Sequence, residues 1–130
     1  MKNLIYFLVI FICLPSCTAT TPKNRQNLCK IFKEKDDWYA EAKESYEKWG
    51  LPIHINMAIM HQESRFVDDA QPERDWFLGF IPLPRESSAY GFAQAQDPVW
   101  GEYIKSGGNS GADRDDFEDA IDFIGWYTDG

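Results

Sequence analysis

"PIHINMAIMHQESRF", residues 52–66, decides how the rest of the chain is read. At 100° per residue, Ile55, Ala58, Ile59 and Phe66 fall on one side of a helix. Ile53, Met57 and Met60 fall on the other, and His54, His61 and Arg65 leave a narrow polar stripe. Pro52 suits a first helical position. A helix apolar nearly all round belongs in the middle of a domain, so residues 52–65 are expected as a central, buried helix. Glu63 lies on the edge of the main apolar stripe, one turn after Ile59 and Met60. A carboxylate against apolar surface needs a partner or a purpose. Taken by itself, Glu63 reads most simply as a helix-end glutamate paired with Arg65 or Arg74. The second reading is chemical. Among Ile59, Met60 and Phe66 its carboxyl would lose water, desolvation favours the protonated form, and a retained proton makes a general acid.

Working outward, the neighbouring segments also read as helices. "DDWYAEAKESYEKWG", residues 36–50, places Trp38, Tyr39, Ala42, Tyr46 and Trp49 in one arc of about 100°. Asp36 or Asp37 is expected to cap it, and Gly50 to close it. "DPVWGEYIKSGG" reads as a short helix with Asp97 as cap, Pro98 at the start and Gly107-Gly108 as the stop. "DDFEDAIDFIGWY" reads as a last helix with Phe117, Ala120, Ile121 and Ile124 on one face. Residues 67–89 show no sustained period and hold three prolines and one glycine. They are expected as a long loop with a short hairpin around "WFLGFI", and such loops are often functional. The chain is expected to be mainly α.

The N-terminus reads as a targeting segment. One lysine precedes "LIYFLVIFICL", an apolar run of eleven residues. That is too short to span a bilayer and right for a signal-peptide core. The following "LPSC" resembles the bacterial lipobox, which implies cleavage before Cys17 and a lipid on its sulfur. Residues 1–16 are thus expected as a lipoprotein signal peptide, 17–28 as a flexible tether, and 29–130 as the domain. The expected location is exported and lipid-anchored, at the periplasmic face of the outer membrane. Of three cysteines, Cys29 is left without an intramolecular partner. It reads as a buried or free thiol, not a nucleophile. No Cys/His cluster suggests a metal, and no cofactor is expected. The formal charge is −8, and −9 without residues 1–16, which hold one lysine and no acid. Such an acidic chain is a poor nucleic-acid binder.

"QESRF", residues 62–66, followed by "SAYGFAQ", residues 88–94, resembles the soluble lytic transglycosylase family of lysozyme-like peptidoglycan enzymes. Glu63, Ser64 and Phe66 match the family's Glu-Ser-x-Phe at the end of an apolar helix. Gly91 and Gln94 match its Gly-Leu-Met-Gln segment, the facing wall of the cleft. "PVWGEY" resembles the stretch that follows, and the resemblance covers roughly residues 38–127. It implies a lysozyme-like fold, peptidoglycan glycan strands as partner, and Glu63 as the catalytic acid. It assigns Ser64, Tyr90, Gly91, Phe92 and Gln94 to the substrate or the glutamate. Phe92-Ala93 stands where the family has Leu-Met, and the segment between the motifs is longer than usual. The chain ends at "WYTDG", where family members usually continue to a tyrosine near the glutamate. Either Tyr127 takes a related role or the sequence is truncated.

Two other functions fit the sequence. A hydrolytic muramidase of the inverting kind needs a second carboxylate about 6.5–9.5 Å from the first, and Asp68, Asp69, Asp75 and Asp97 are available. A non-catalytic wall-binding lipoprotein needs only the fold. His54 and His61 are seven apart, unsuited to one metal ion on one helix, and read as solvated. "DRDDFED" lacks the glycine and terminal glutamate of a calcium loop and reads as a charged helix start. Trp76, Phe77 and Phe80 would either stack on sugars or pin the long loop onto the helices.

Overall fold

The computed structural model describes residues 21–107 and 109–129. The expected signal peptide, Cys17, residues 18–20 of the tether and Gly108 of the expected helix stop lie outside them. Among the described residues, five helices and one two-stranded hairpin make a mainly α domain. The order is α1 (Leu28–Glu34), α2 (Asp36–Trp49), α3 (Ile53–Ser64), β1 (Trp76–Phe77), β2 (Ile81–Pro82), α4 (Asp97–Lys105) and α5 (Phe117–Asp129).

The segment before α1 differs from the expected tether. Pro22 is buried, and the Lys23 amide donates to the Glu34 carboxylate at 3.0 Å. The Arg25 guanidinium reaches the Arg65 carbonyl at 3.5 Å. Asn27 caps α1 by accepting from the Lys30 amide at 3.0 Å. Helix α1 has no counterpart in the sequence reading, because seven residues hold too little periodicity to be seen. It still contributes Ile31, fully buried, to the core. Cys29 on the same helix is an exposed free thiol.

Helices α2 and α5 form the main contact. Gly50 ends α2 in the left-handed region at φ +76°, a conformation that favours glycine. Asp36 and Asp37 lie inside the first turn rather than capping it; there they complement the helix dipole. The buried face of α2 is Trp38, Ala42 and Ser45, while Tyr39 and Tyr46 of the expected arc are exposed. The cause is close approach. A methyl on Gly125 of α5 would stand 2.6 Å from Trp49 Cδ1 and 2.8 Å from Ser45 Oγ. Ser45 donates to the Ile121 carbonyl at 2.9 Å, and Asn56 of α3 donates to that same carbonyl at 3.0 Å. Both polar residues are therefore core residues, held across three helices through these donors, while the Asn56 side-chain oxygen is buried without a partner.

Helix α3 is buried on one side, through Asn56, Met57, Met60 and Ser64. Ile55 and Ala58 are exposed, so the helix is less enclosed than its apolar composition predicts. Its end is abrupt. Arg65 and Phe66 both take positive φ, +53° and +62°, a cost of order 1–3 kcal/mol each for such residues. Phe66 in return enters the core at 5.9 Å from Trp38. Trp38 stacks on Phe117 at 3.9 Å and meets Phe92 edge-on at 5.7 Å.

The last helices follow the sequence closely. Asp97 and Pro98 open α4, with Gln96 at the cap position. All four residues expected on the inner face of α5 are buried, joined by Phe123 and Gly125. Asp116 accepts from the Asp119 amide at 3.1 Å at its start. Asp122 ties α2, α4 and α5 together. It accepts from Trp49 Nε1 at 2.7 Å, from the Tyr103 hydroxyl at 2.6 Å and from Lys48 Nζ at 3.1 Å.

Candidate active site

A groove of about 330 Å³ opens between the end of α3 and the C-terminal half of α5. Ile59 and Glu63 form one wall, residues 93–96 and Val99 the floor, and Phe123, Ile124, Tyr127 and Thr128 the other wall. Glu63 is exposed at this wall and not enclosed by Met60 and Phe66, which point into the core. The left-handed turn at Arg65 and Phe66 explains the separation. It sends the aromatic inward, while Glu63 in the last turn of α3 lines the groove.

The second motif is a tight turn held from behind. Tyr90 and Ala95 bridge, with the Tyr90 amide on the Ala95 carbonyl at 3.2 Å. The Gly91 amide donates to the Ala70 carbonyl at 2.9 Å, and the Phe92 amide to the Arg114 carbonyl at 3.0 Å. Gly91 sits at φ +79°, and any side chain there would overlap the Arg114 carbonyl. Gln94, at φ +50°, lines the groove, but its amide nitrogen is committed. It donates to the carbonyls of Ala70 at 2.7 Å and Gly91 at 2.9 Å.

Of the residues that the sequence points to, Glu63 and Gln94 meet in the groove, together with Tyr127. Four others stand behind it. Ser64 is buried and donates to the Met60 carbonyl at 3.3 Å, not to the glutamate. Phe92 is fully buried against Trp38 and Phe117, so it shapes the core rather than the cleft surface. Gly91 is buried beneath the turn. Tyr90 donates its hydroxyl to Asp115 at 3.2 Å. Sequence reading misses Arg114, whose guanidinium donates to the carbonyls of Ser88 at 3.0 Å and Ala95 at 2.8 Å. Its one signal was a lone cation inside an acidic run.

Over residues 5–130 the sequence matches the transglycosylase SLT domain family. The chain belongs to that family. The membership establishes a lysozyme-like SLT domain with a transglycosylase-type function on peptidoglycan. No curated protein and no solved structure matches the chain.

Two further cavities of this SLT domain frame the groove. One, about 550 Å³, lies on the other flank of α3 and is lined by polar side chains of residues 23–27 with His61, Gln62 and Arg65. It holds no carboxylate among the described residues. A smaller one, about 160 Å³, lies between α2 and α5 and is rich in acids, including Glu41, Glu44, Glu118, Asp119 and Asp122. Burial there, reinforced by Glu118, Asp116, Asp37 and Glu44, pushes Glu41 up to about 7. One of its carboxyl oxygens is buried without a hydrogen-bond partner. Burial first, then neighbouring acids, also raises Glu118 and Asp119.

Proposed function

We propose that this domain is a lytic transglycosylase that cleaves the β-1,4 bond between N-acetylmuramic acid and N-acetylglucosamine. One observation carries the reading. Glu63 is the one carboxylate, among the described residues, that lines the groove built by both motifs. Protonated Glu63 gives its proton to the glycosidic oxygen, the bond to muramyl C1 breaks, and the N-acetylglucosamine side leaves as an alcohol. The muramyl 2-acetamido group stabilises the positive C1. Glu63, now ionised, takes the proton of the muramyl 6-hydroxyl as that oxygen bonds C1. The product is a 1,6-anhydro ring, and the enzyme regains its proton. One group acts first as acid and then as base. The apolar walls around Ile59, Val99 and Phe123 would exclude water once a glycan covers the groove. Gln94 fixes the turn and leaves its carbonyl for the sugar, and Tyr127 borders the opposite wall.

A hydrolase would need a second carboxylate to activate water. Asp97 is paired with Arg114 at 2.9 Å, and Asp68, Asp69 and Asp75 do not line the groove. This favours attack by the substrate's own hydroxyl. Mass spectrometry of digested peptidoglycan tests it: anhydromuramyl ends are expected. Reducing ends would establish a muramidase, and sacculus binding without a soluble product would establish a wall-binding role. We further propose export with lipidation at Cys17, holding the domain on the periplasmic face of the outer membrane, beside its polymer.

A further inference from the structure

The hairpin is the least protein-like surface of the molecule. Residues 76–83 read "WFLGFIPL", and Trp76, Phe77, Leu78, Phe80, Ile81 and Leu83 are each 40–69% exposed. Trp76 pairs with Pro82 and Phe77 with Ile81, and the chain turns at Leu78 and Gly79, both at positive φ. The hairpin therefore keeps its shape through its backbone, and none of its large side chains reaches the buried core. Six such side chains present on the order of 600 Å² of largely apolar surface, at the upper end of what a monomer exposes without a function.

We infer that this hairpin is a membrane-contacting element that dips into the boundary between lipid headgroups and acyl chains. The inference rests on the membrane anchorage proposed above. Three observations select lipid over other occupants. First, the tip carries no charged side chain; the nearest charges, Arg74, Asp75 and Arg85, stand at its base. From base to tip is about three residues, or roughly 10 Å at strand rise, close to the ~5–10 Å that interfacial elements bury. Second, half of the large side chains are aliphatic. Leu78, Ile81 and Leu83 offer no flat face for a sugar, and none of residues 76–83 lines the Glu63 groove. Third, the proposed lipid site is close to the domain in sequence. Thr21 stands four residues after Cys17, a reach of at most about 14 Å, so a lipid there would hold the domain against the bilayer. The segment that follows is tied to the domain through Arg25 on the Arg65 carbonyl. No helix among the described residues is long and apolar enough to cross a membrane, so the contact is interfacial. The chain's charge of −8 makes zwitterionic lipid the fitting surface.

The test replaces Phe80 by the photo-crosslinker p-benzoylphenylalanine in the full chain, in cells, with the same probe at Glu47 on α2 as reference. Both sites are exposed, so neither replacement disturbs the core. After irradiation, phospholipid adducts at Phe80 should exceed those at Glu47 on the order of tenfold. Membrane fractionation of the wild type and Cys17→Ala is run alongside. Adducts at Phe80 mainly to glycan, to a second copy or to another protein overturn the inference. A membrane-bound chain whose Phe80 gains no lipid also overturns it, while leaving the anchor in place. A chain found soluble, with Cys17→Ala indistinguishable from wild type, overturns the anchor; lipid adducts at Phe80 in that chain would still support the hairpin. Soluble protein without lipid adducts overturns both.

Discussion

Glu41 and Glu63 sit on adjacent packed helices and have opposite surroundings. Glu41 lies half-buried between α2 and α5 among other acids, and its carboxyl is held protonated to about pH 7. Glu63 stands exposed on the wall of a largely apolar groove that Gln94 and Tyr127 also line. A perturbed carboxyl is a fair first guess at a functional group, and by that guess Glu41 would be the acid. The surroundings argue otherwise. The nook around Glu41 is small and crowded with negative charge, which penalises any developing anion and offers no wall for a sugar ring. The groove at Glu63 is twice as large and is lined by apolar side chains that a glycan can cover. Perturbation in the empty protein thus marks a structural cost at Glu41. The groove with room for a glycan is the one that Glu63 lines, which is why the acid is proposed there.

The comparison breaks most sharply at Glu63. Glu63→Gln keeps shape and removes the titrating group, so turnover of purified peptidoglycan should fall by at least ~10²–10⁴-fold. Because the side chain is exposed, Tm should stay within about 2 °C of wild type. Turnover near wild type would remove the catalytic assignment. Gln94→Ala should act on both quantities, since the carbonyls of Ala70 and Gly91 each lose one of two donors. A loss of about 1–3 kcal/mol in stability is expected from chemical denaturation, together with lower activity. Lower activity at unchanged stability would mean that Gln94 serves the substrate rather than the turn.

The smallest effect belongs to Glu41. Its folded form holds a proton that the unfolded chain releases near 4.5, so between about pH 4.5 and 7 the folded state binds more protons. Stability therefore falls as pH rises through that window, and Glu118 and Asp119 act in the same sense. Glu41→Gln should flatten this decline and raise Tm at pH 8 by about 4 °C, for about 1 kcal/mol after allowance for solvent screening. Activity should be unaffected. A variant that gains stability but loses turnover would move the acid to Glu41 and overturn the contrast.

Much of the fold was legible, and the failures share a cause. The positions of α2, α3, α4 and α5 follow from caps and periods, and the inner face of α5 follows residue by residue. The face of α2 does not, because Ser45 and Asn56 look like surface and are core. Only the shared carbonyl of Ile121 makes them so. The two motifs pointed to the groove, and Glu63 and Gln94 meet there. Ser64 and Phe92 carry side chains that could face either way; Ser64 bonds the Met60 carbonyl inside α3, and Phe92 packs on Trp38 and Phe117. The hairpin was visible as a pattern of Gly79 between apolar runs, while the exposure of its apolar side chains was not.

The sequence by itself determined what depends on neighbours along the chain: helix extents, the glycine at the end of α2, the apolar stripe of α5 and the order of the two motifs. Each is set by local propensity or by the 3.6-residue period, which needs no knowledge of what lies opposite. Tertiary structure decided which side of α3 is core, that Gln94 is spent holding the turn, and that Glu63 rather than Glu41 faces a groove. These depend on close approach between distant segments, as at Gly125 against Ser45 and Gly91 against Arg114. Hydrophobic pattern reports how apolar a residue is, and hydrogen bonds across helices decide whether a polar one belongs inside.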